Sequence, residues 1–241
     1  MPHLTPDPVP APAPEPFPAA GVRASALLLD LDGTLVDTTE KVEAAWRWGA
    51  DTLDVPFETL EPYIHGIPGV QALELALPGR LTVAEREELT HELLGRMSDP
   101  AAGHVRWMPG AQHVVSTLAR DAADRWAIVT SGDTRLAGSS VEALALPLPP
   151  VMVTSEDVEL GKPHPEPYLE GADRLGIEPS ECVVVEDAPA GVAAGKAAGM
   201  RVLALTTTYD AEALHQADWV VPTLEAVTVR TDDDGLLLTA I

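Results

Sequence analysis

The chain has 241 residues, 46% of them hydrophobic and 22% charged, enough for one sizeable folded domain with room for a smaller insertion. Its formal net charge of −23 argues against nucleic acid or anionic membrane as partners, because both demand a positive face, and any anionic substrate would need a local cation. A single cysteine, Cys182, excludes an intrachain disulfide and fits a reducing compartment.

Residues 1–20 carry eight prolines among alanines and acids, with no apolar periodicity. Residues 1–22 are therefore expected as a disordered or extended tail. The start lacks the basic-then-apolar order of a secretory signal, and no apolar run reaches membrane-spanning length. A cytoplasmic location is expected. Ala26-Leu-Leu-Leu-Asp30 is the first of five short apolar runs. The others are Trp126-Ala-Ile-Val129, Val151-Met-Val153, Cys182-Val-Val-Val185 and Val202-Leu-Ala-Leu205. Each is continuous rather than alternating, as in strands buried on both faces of a parallel sheet. Helical patterns lie between them at 110–120, 134–144, 166–175 and 189–198. This alternation predicts an α/β fold with a doubly wound, Rossmann-like parallel sheet.

Residues 38–107 interrupt the rhythm. They contain helical patterns over 38–53 and from a Thr82/Glu85 capping box to about Met97, and no convincing strand. They are expected as a helical cap inserted after the first strand, leaving 23–37 and 108–241 as the core. Trp46 and Trp48, two apart on a helix, diverge: one packs and the other faces the cleft. Gly191, Gly195 and Gly199 recur every four residues, which points to close helix-to-sheet packing. The last segments, 226–231 and 236–241 around Asp232-Asp-Asp-Gly235, read as an edge hairpin.

The chemistry collects behind the runs. The first ends at Asp30-Leu-Asp32-Gly-Thr34, the second at Thr130-Ser131-Gly132, the fourth at Glu186-Asp187. In an open parallel sheet, ligands bind at the carboxyl ends of the strands. Carboxylates gathered there repel unless a cation sits among them, and an oxygen-only ligand set suits Mg²⁺. Asp30 and Asp32 share a side of the strand. One can attack phosphorus while the other protonates the leaving group, provided burial or neighbouring charge lifts its pKa from about 3.9. An isolated Asp-x-Asp-Gly serves about as often simply to end a strand and cap a turn.

Asp30-Leu-Asp-Gly-Thr-Leu-Val-Asp37 resembles the first motif of the haloacid dehalogenase-like hydrolase superfamily. Val129-Thr-Ser-Gly132, Gly161-Lys-Pro163 and Glu186-Asp187 resemble the second, third and fourth, in the family's order. The stretches Gly161–Leu169 and Glu186–Gly199, with Thr206-Thr-Thr-Tyr-Asp210, are similar to the superfamily's glycerol-phosphate and 2-deoxyglucose-6-phosphate phosphatases. The resemblance implies Asp30 as nucleophile and metal ligand, and Asp32 as acid/base with its carbonyl on the metal. It implies Asp187 as a further ligand beside Glu186, and Ser131, Gly132 and Lys162 as phosphate-binding groups. Mg²⁺ is the implied cofactor, since the family's dehalogenases lack an acid at the Asp32 position and need none. His65-Gly66 resembles a substrate-selecting loop of related phosphatases. There an arginine follows, whereas here the chain continues Ile67-Pro68-Gly69-Val70. A cap without that cation is expected to favour a neutral sugar or polyol.

The expected activity is hydrolysis of a small sugar or polyol phosphate through an aspartyl-phosphate, by a monomer or small homo-oligomer. A β-phosphoglucomutase-like phosphomutase shares the same motifs and would differ in passing the phosphoryl group to a second sugar. A non-catalytic metabolite-binding regulatory protein is a third reading, opposed by the intact Asp30/Asp32 pair.

Overall fold

The computed structural model describes residues 15–64, 67–99, 103–232 and 234–241. The first half runs through β1 (Val22–Ala24), β2 (Ala26–Leu29), β3 (Val36–Asp37), α1 (Thr39–Leu53), α2 (Gly69–Ala76), α3 (Val83–Met97), β4 (Arg106–Trp107) and α4 (Ala111–Asp121). It continues with β5 (Trp126–Val129), α5 (Thr134–Ala143), β6 (Val151–Val153), α6 (Glu166–Leu175), β7 (Cys182–Glu186) and α7 (Pro189–Ala197). The chain closes with β8 (Arg201–Leu205), β9 (Trp219–Val221), β10 (Val227–Asp232) and β11 (Gly235–Ala240).

Six strands form one parallel sheet in the order β6-β5-β2-β7-β8-β9. The five apolar runs occupy five of its positions. Their continuity has the anticipated cause. Leu27, Leu29, Trp126, Ile128, Val183 and Val185 feed the core on the α4 side. Ala26, Leu28, Ala127, Val129, Cys182 and Val184 feed the core that contains residues of α6 and α7. Strand β2 is central, with Leu29 level with Ile128 on one neighbour and Val185 on the other. The Asp30 amide donates to the Val185 carbonyl at 3.0 Å, so the residue just past β2 is still tied to the sheet.

Residues 38–107 contain α1, α2 and α3 with two short 3-10 turns between α1 and α2. Trp46, Phe57, Leu60, Leu73, Leu89 and Leu93 give them an apolar centre of their own, to which Leu136 of α5 contributes from below. The Thr82/Glu85 capping box forms as the pattern predicts. The Glu85 amide donates to Thr82 Oγ1 at 3.3 Å, and the Thr82 amide donates to Glu85 Oε2 at 2.7 Å. Trp46 is buried, whereas Trp48 lies under the Arg96 guanidinium, 3.7 Å from its ring centroid. The stretch is not free of strands. Its end, β4, pairs antiparallel with β3, Val36 opposite Trp107.

Two expectations need correction. The terminal hairpin is not on the edge of the main sheet. It joins β1 in a separate three-stranded sheet, order β1-β11-β10, with Val22 opposite Leu238. The reason is burial: Val22, Val229, Leu236 and Leu238 are all drawn into the core on the α4 side. The end of the segment expected as a tail is also ordered. Residues 1–14 lie outside the described residues, but Phe17 meets Trp219 edge-on with centroids 5.5 Å apart, and Glu15 bridges Trp219. Phe17 is the one aromatic of the proline-rich segment, and it finds an apolar partner on the outer strand β9. That strand and helix α2 went unpredicted because both are short and follow a loop with no periodic lead-in. Among the described residues no helix is long and apolar enough to cross a membrane.

Candidate active site

The carboxyl ends of β2, β5 and β7 meet at the floor of a cavity of about 580 Å³. Asp30, Asp32, Ser131, Gly132, Lys162, Glu186 and Asp187 all line it. His65 and Gly66 lie outside the described residues.

Lys162 is buried at the centre. Its Nζ donates to Asp30 Oδ1 at 2.6 Å, to Glu186 Oε1 at 2.7 Å and to the Val129 carbonyl at 2.9 Å. All three ammonium protons are thus used. Burial works against its charge, but Asp30 and Glu186 together outweigh burial and hold its pKa above the ordinary lysine value. The loop that carries it is pinned by Glu166, whose carboxylate accepts from the amides of Glu159 and Leu160 at 2.8 and 3.1 Å.

Asp30 is buried, and burial raises its pKa well above the usual carboxylate range. Lys162 opposes that rise, while Glu186 and Asp187 add to it. Asp187 is pushed up to about 7 by burial and then by Glu186, against donation from Thr208 and Thr34. Thr34 Oγ1 donates to Asp187 Oδ1 at 3.1 Å. Between them lies Gly33, with φ of +84°. A side chain there would run into the Asp187 carboxylate and Thr208. Glycine therefore supplies both the left-handed backbone and the space that lets the turn approach Asp187.

Asp32 stands apart from this cluster. Its Oδ1 accepts from Thr38 Oγ1 at 2.8 Å. Burial raises its pKa, with Thr38, Lys162 and Thr130 opposing. Thr38 immediately precedes α1, where a threonine normally caps the helix, yet it makes no cap hydrogen bond. Its hydroxyl is committed to Asp32 instead. The helix beginning at Thr38 was visible in the sequence; the bond from its hydroxyl to Asp32 was not.

Ser131 is exposed on the cavity wall. The Gly132 amide, expected as a phosphate donor, here donates to Thr130 Oγ1 at 3.0 Å. That bond is a local hydroxyl-to-backbone turn, and it competes with ligand binding for the same hydrogen.

Glu186 proves to be the most engaged acid. Besides Lys162, its Oε1 accepts from the Tyr168 hydroxyl at 2.8 Å, and its Oε2 accepts from the amides of Asp187 and Ala188 at 3.0 and 3.1 Å. Tyr168 was not singled out from the sequence, although it sits six residues past Lys162 in the quoted Gly161–Leu169 stretch. A side chain at Gly191 would collide with the Glu186 carboxylate. The three regularly spaced glycines thus do three jobs. Gly191 admits Glu186. Gly195 lets α7 onto the sheet, where a Cβ would stand 2.9 Å from Val202. Gly199 ends the helix at φ +76°.

Oxygens of Asp30, Glu186 and Asp187 all lie within 4.8 Å of one another. Glu186 already accepts four hydrogen bonds, so Asp30 and Asp187 keep more capacity for a cation. The surplus of buried negative charge, one lysine against three carboxylates, and the all-oxygen donor set both fit a hard divalent ion.

Known proteins can be set beside this geometry. Hexitol phosphatase A of Escherichia coli is 39% identical over 214 residues, covering 89% of this chain and 98% of that protein. Glycerol-1-phosphate phosphohydrolase 1 of Saccharomyces cerevisiae is 34% identical over 218 residues, 86% of each chain. The crystal structure of a hydrolase from Pseudomonas syringae superposes with a TM-score of 0.73 at 26% identity, covering 83% of this chain and 94% of that one. The model of the haloacid dehalogenase-like hydrolases matches residues 24–199, a span that includes all four motif-bearing turns at the cavity floor. With that match and these relatives, the chain belongs to the haloacid dehalogenase-like hydrolase family.

Proposed function

We propose that this protein is a Mg²⁺-dependent phosphomonoesterase acting on a small sugar or polyol phosphate, with Asp30 as nucleophile and Asp32 as general acid and base. One observation carries it: a buried carboxylate, Asp30, is held at 2.6 Å from a buried lysine at the bottom of a substrate-sized cavity, with a second, half-buried acid, Asp32, two residues away. The hexitol and glycerol phosphatases among its relatives supply the substrate class.

Asp30, Asp187 and the Asp32 backbone carbonyl would hold the ion. When bound, it neutralises phosphoryl oxygens and keeps Asp30 ionised against burial. Lys162 aids the same ionisation from the other side. Asp30 then attacks phosphorus, the ester oxygen leaves, and Asp32 gives it a proton. Asp32 next removes a proton from the water that cleaves the aspartyl-phosphate. Ser131 orients the phosphoryl group, and Gly132 does so once its amide leaves Thr130. We assign residues 38–107 the role of a cap that closes the cavity over the substrate, and we place the protein in the cytoplasm.

The test is phosphate release from glycerol phosphate, hexitol phosphates and 2-deoxyglucose 6-phosphate. Chelation of divalent ions should abolish release, and Mg²⁺ should restore it. Phosphoryl transfer to a second sugar in place of release would make the protein a mutase.

Thr38 offers a pH test. Its hydroxyl favours the ionised form of Asp32. Thr38→Val removes that donor, so the Asp32 pKa rises further. Asp32 must be protonated to act as the acid, so the alkaline limb of the kcat/KM profile should move to higher pH. A limb that stays in place or moves down would remove Asp32 from that role.

A further inference from the structure

The missing arginine beside His65 suggested a cap without a cation. The structure holds one elsewhere. Lys41 lies in the first turn of α1, is 2% exposed, and lines the cavity. Among the described residues its ammonium makes no hydrogen bond and no ion pair. Its stem is clamped: a Cβ at Gly103 would stand 3.3 Å from Lys41 Cγ and from its backbone nitrogen. Lys41 stands on the helical wall through α1, whereas Asp30, Lys162 and Asp187 stand on the floor at the strand ends and the loop beside them.

A second polar group on the same helical wall is also unmatched. Thr90 Oγ1, on α3, is buried without a hydrogen-bond partner and lines the cavity. Around these two the wall is apolar, with Trp46, Leu93 and Met97. The ammonium borders the cavity without a counter-ion, so an anion entering there meets an unpaired positive charge. A neutral hydroxyl would satisfy one of its protons and leave its charge uncompensated.

We propose, resting on the phosphatase reading above, that Lys41 receives a second anionic group on the substrate. The substrate is then a phosphorylated sugar or polyol bearing a carboxylate or a further phosphate remote from the ester that is cleaved. Thr90 hydrogen bonds to the same part of the molecule. A site built to pair a charged group rejects analogues lacking it, because its own charge is then left unmatched. The global charge of −23 sharpens this: a doubly anionic substrate needs a local cation at each end, and Lys162 and Lys41 are two of only three lysines in the chain.

The experiment compares matched pairs on one enzyme sample. One pair is 3-phosphoglycerate against glycerol 3-phosphate; the other is fructose 1,6-bisphosphate against fructose 6-phosphate. The ratio of kcat/KM within a pair cancels the fraction of folded enzyme. We expect the doubly anionic member of at least one pair to be preferred by about tenfold or more. The pair that shows it identifies carboxylate or phosphate as the group recognised. Lys41→Met should bring the ratio to one or below, chiefly through KM, while Lys41→Arg should keep it within about threefold, since the charge is retained. Preference for the neutral member in both pairs, or a preference that survives Lys41→Met, would overturn the role of Lys41 and leave the phosphatase reading standing. No phosphate release from any of the four or from an aryl phosphate would overturn both.

Discussion

Asp30→Asn should reduce phosphate release by a factor on the order of 10⁴ or more, the scale seen when a covalent nucleophile is removed. The amide keeps the shape of the carboxylate but cannot attack phosphorus. Its surroundings should persist, because Lys162 retains Glu186 Oε1 at 2.7 Å and the Val129 carbonyl at 2.9 Å. The substitution also removes a buried charge that burial, Glu186 and Asp187 all disfavour, so the folded state should survive. Steady-state release on glycerol phosphate, with far-ultraviolet circular dichroism on the same preparation, reads both effects. Turnover within tenfold of the unaltered enzyme would mean that Asp30 forms no covalent intermediate.

Lys162→Met should be the most destabilising single change in the site. It leaves Asp30 and Glu186 buried and facing each other without their shared cation. Breaking a buried ion pair from one side costs about 3–5 kcal/mol. For a chain of this size that is a fall in Tm of roughly 6–20 °C. The pH dependence has a definite sign. Asp30 already titrates above its unfolded value, so the folded state takes up its proton more readily than the unfolded chain does. A raised carboxyl of this kind destabilises above the unfolded pKa and is relieved as pH falls through the folded one. Without Lys162 the folded value rises further. The deficit in Tm should therefore be largest near neutrality and narrow as the solution is acidified, which melting curves across pH would reveal. Unchanged stability near neutrality would mean that Asp30 and Glu186 do not depend on Lys162 for their charge balance.

What the sequence disclosed, and what it withheld, divides by interaction range. Strands such as Cys182–Glu186 announced themselves because burial on both faces demands an unbroken apolar run. The Thr82/Glu85 cap was legible because its partners are three residues apart. The acids at the strand ends were legible because parallel topology sends those ends to one rim. The Tyr168 and Lys162 contacts to Glu186 join residues 18 and 24 apart in sequence, and only the fold brings them together. The same holds for the hairpin: its turn was local and visible, but its choice of β1 as neighbour rests on contacts more than two hundred residues distant. Lys41 gave no signal at all, because a lysine early in a helix is ordinarily solvated and nothing local marks this one as enclosed.

The short ladder of β3 and β4 has a mechanical meaning. The polypeptide departs from the floor through Val36–Asp37 and comes back through Arg106–Trp107, hydrogen bonded side by side. Both feet of the roof thus stand on the same doorstep, whatever number of residues lies overhead. Lengthening or replacing the intervening helices adds little loop-closure entropy and does not disturb the spacing of those feet. On the proposed assignment of 38–107 as a cap, substrate preference would drift by rebuilding the roof while Asp30 and Asp187 beneath keep their positions.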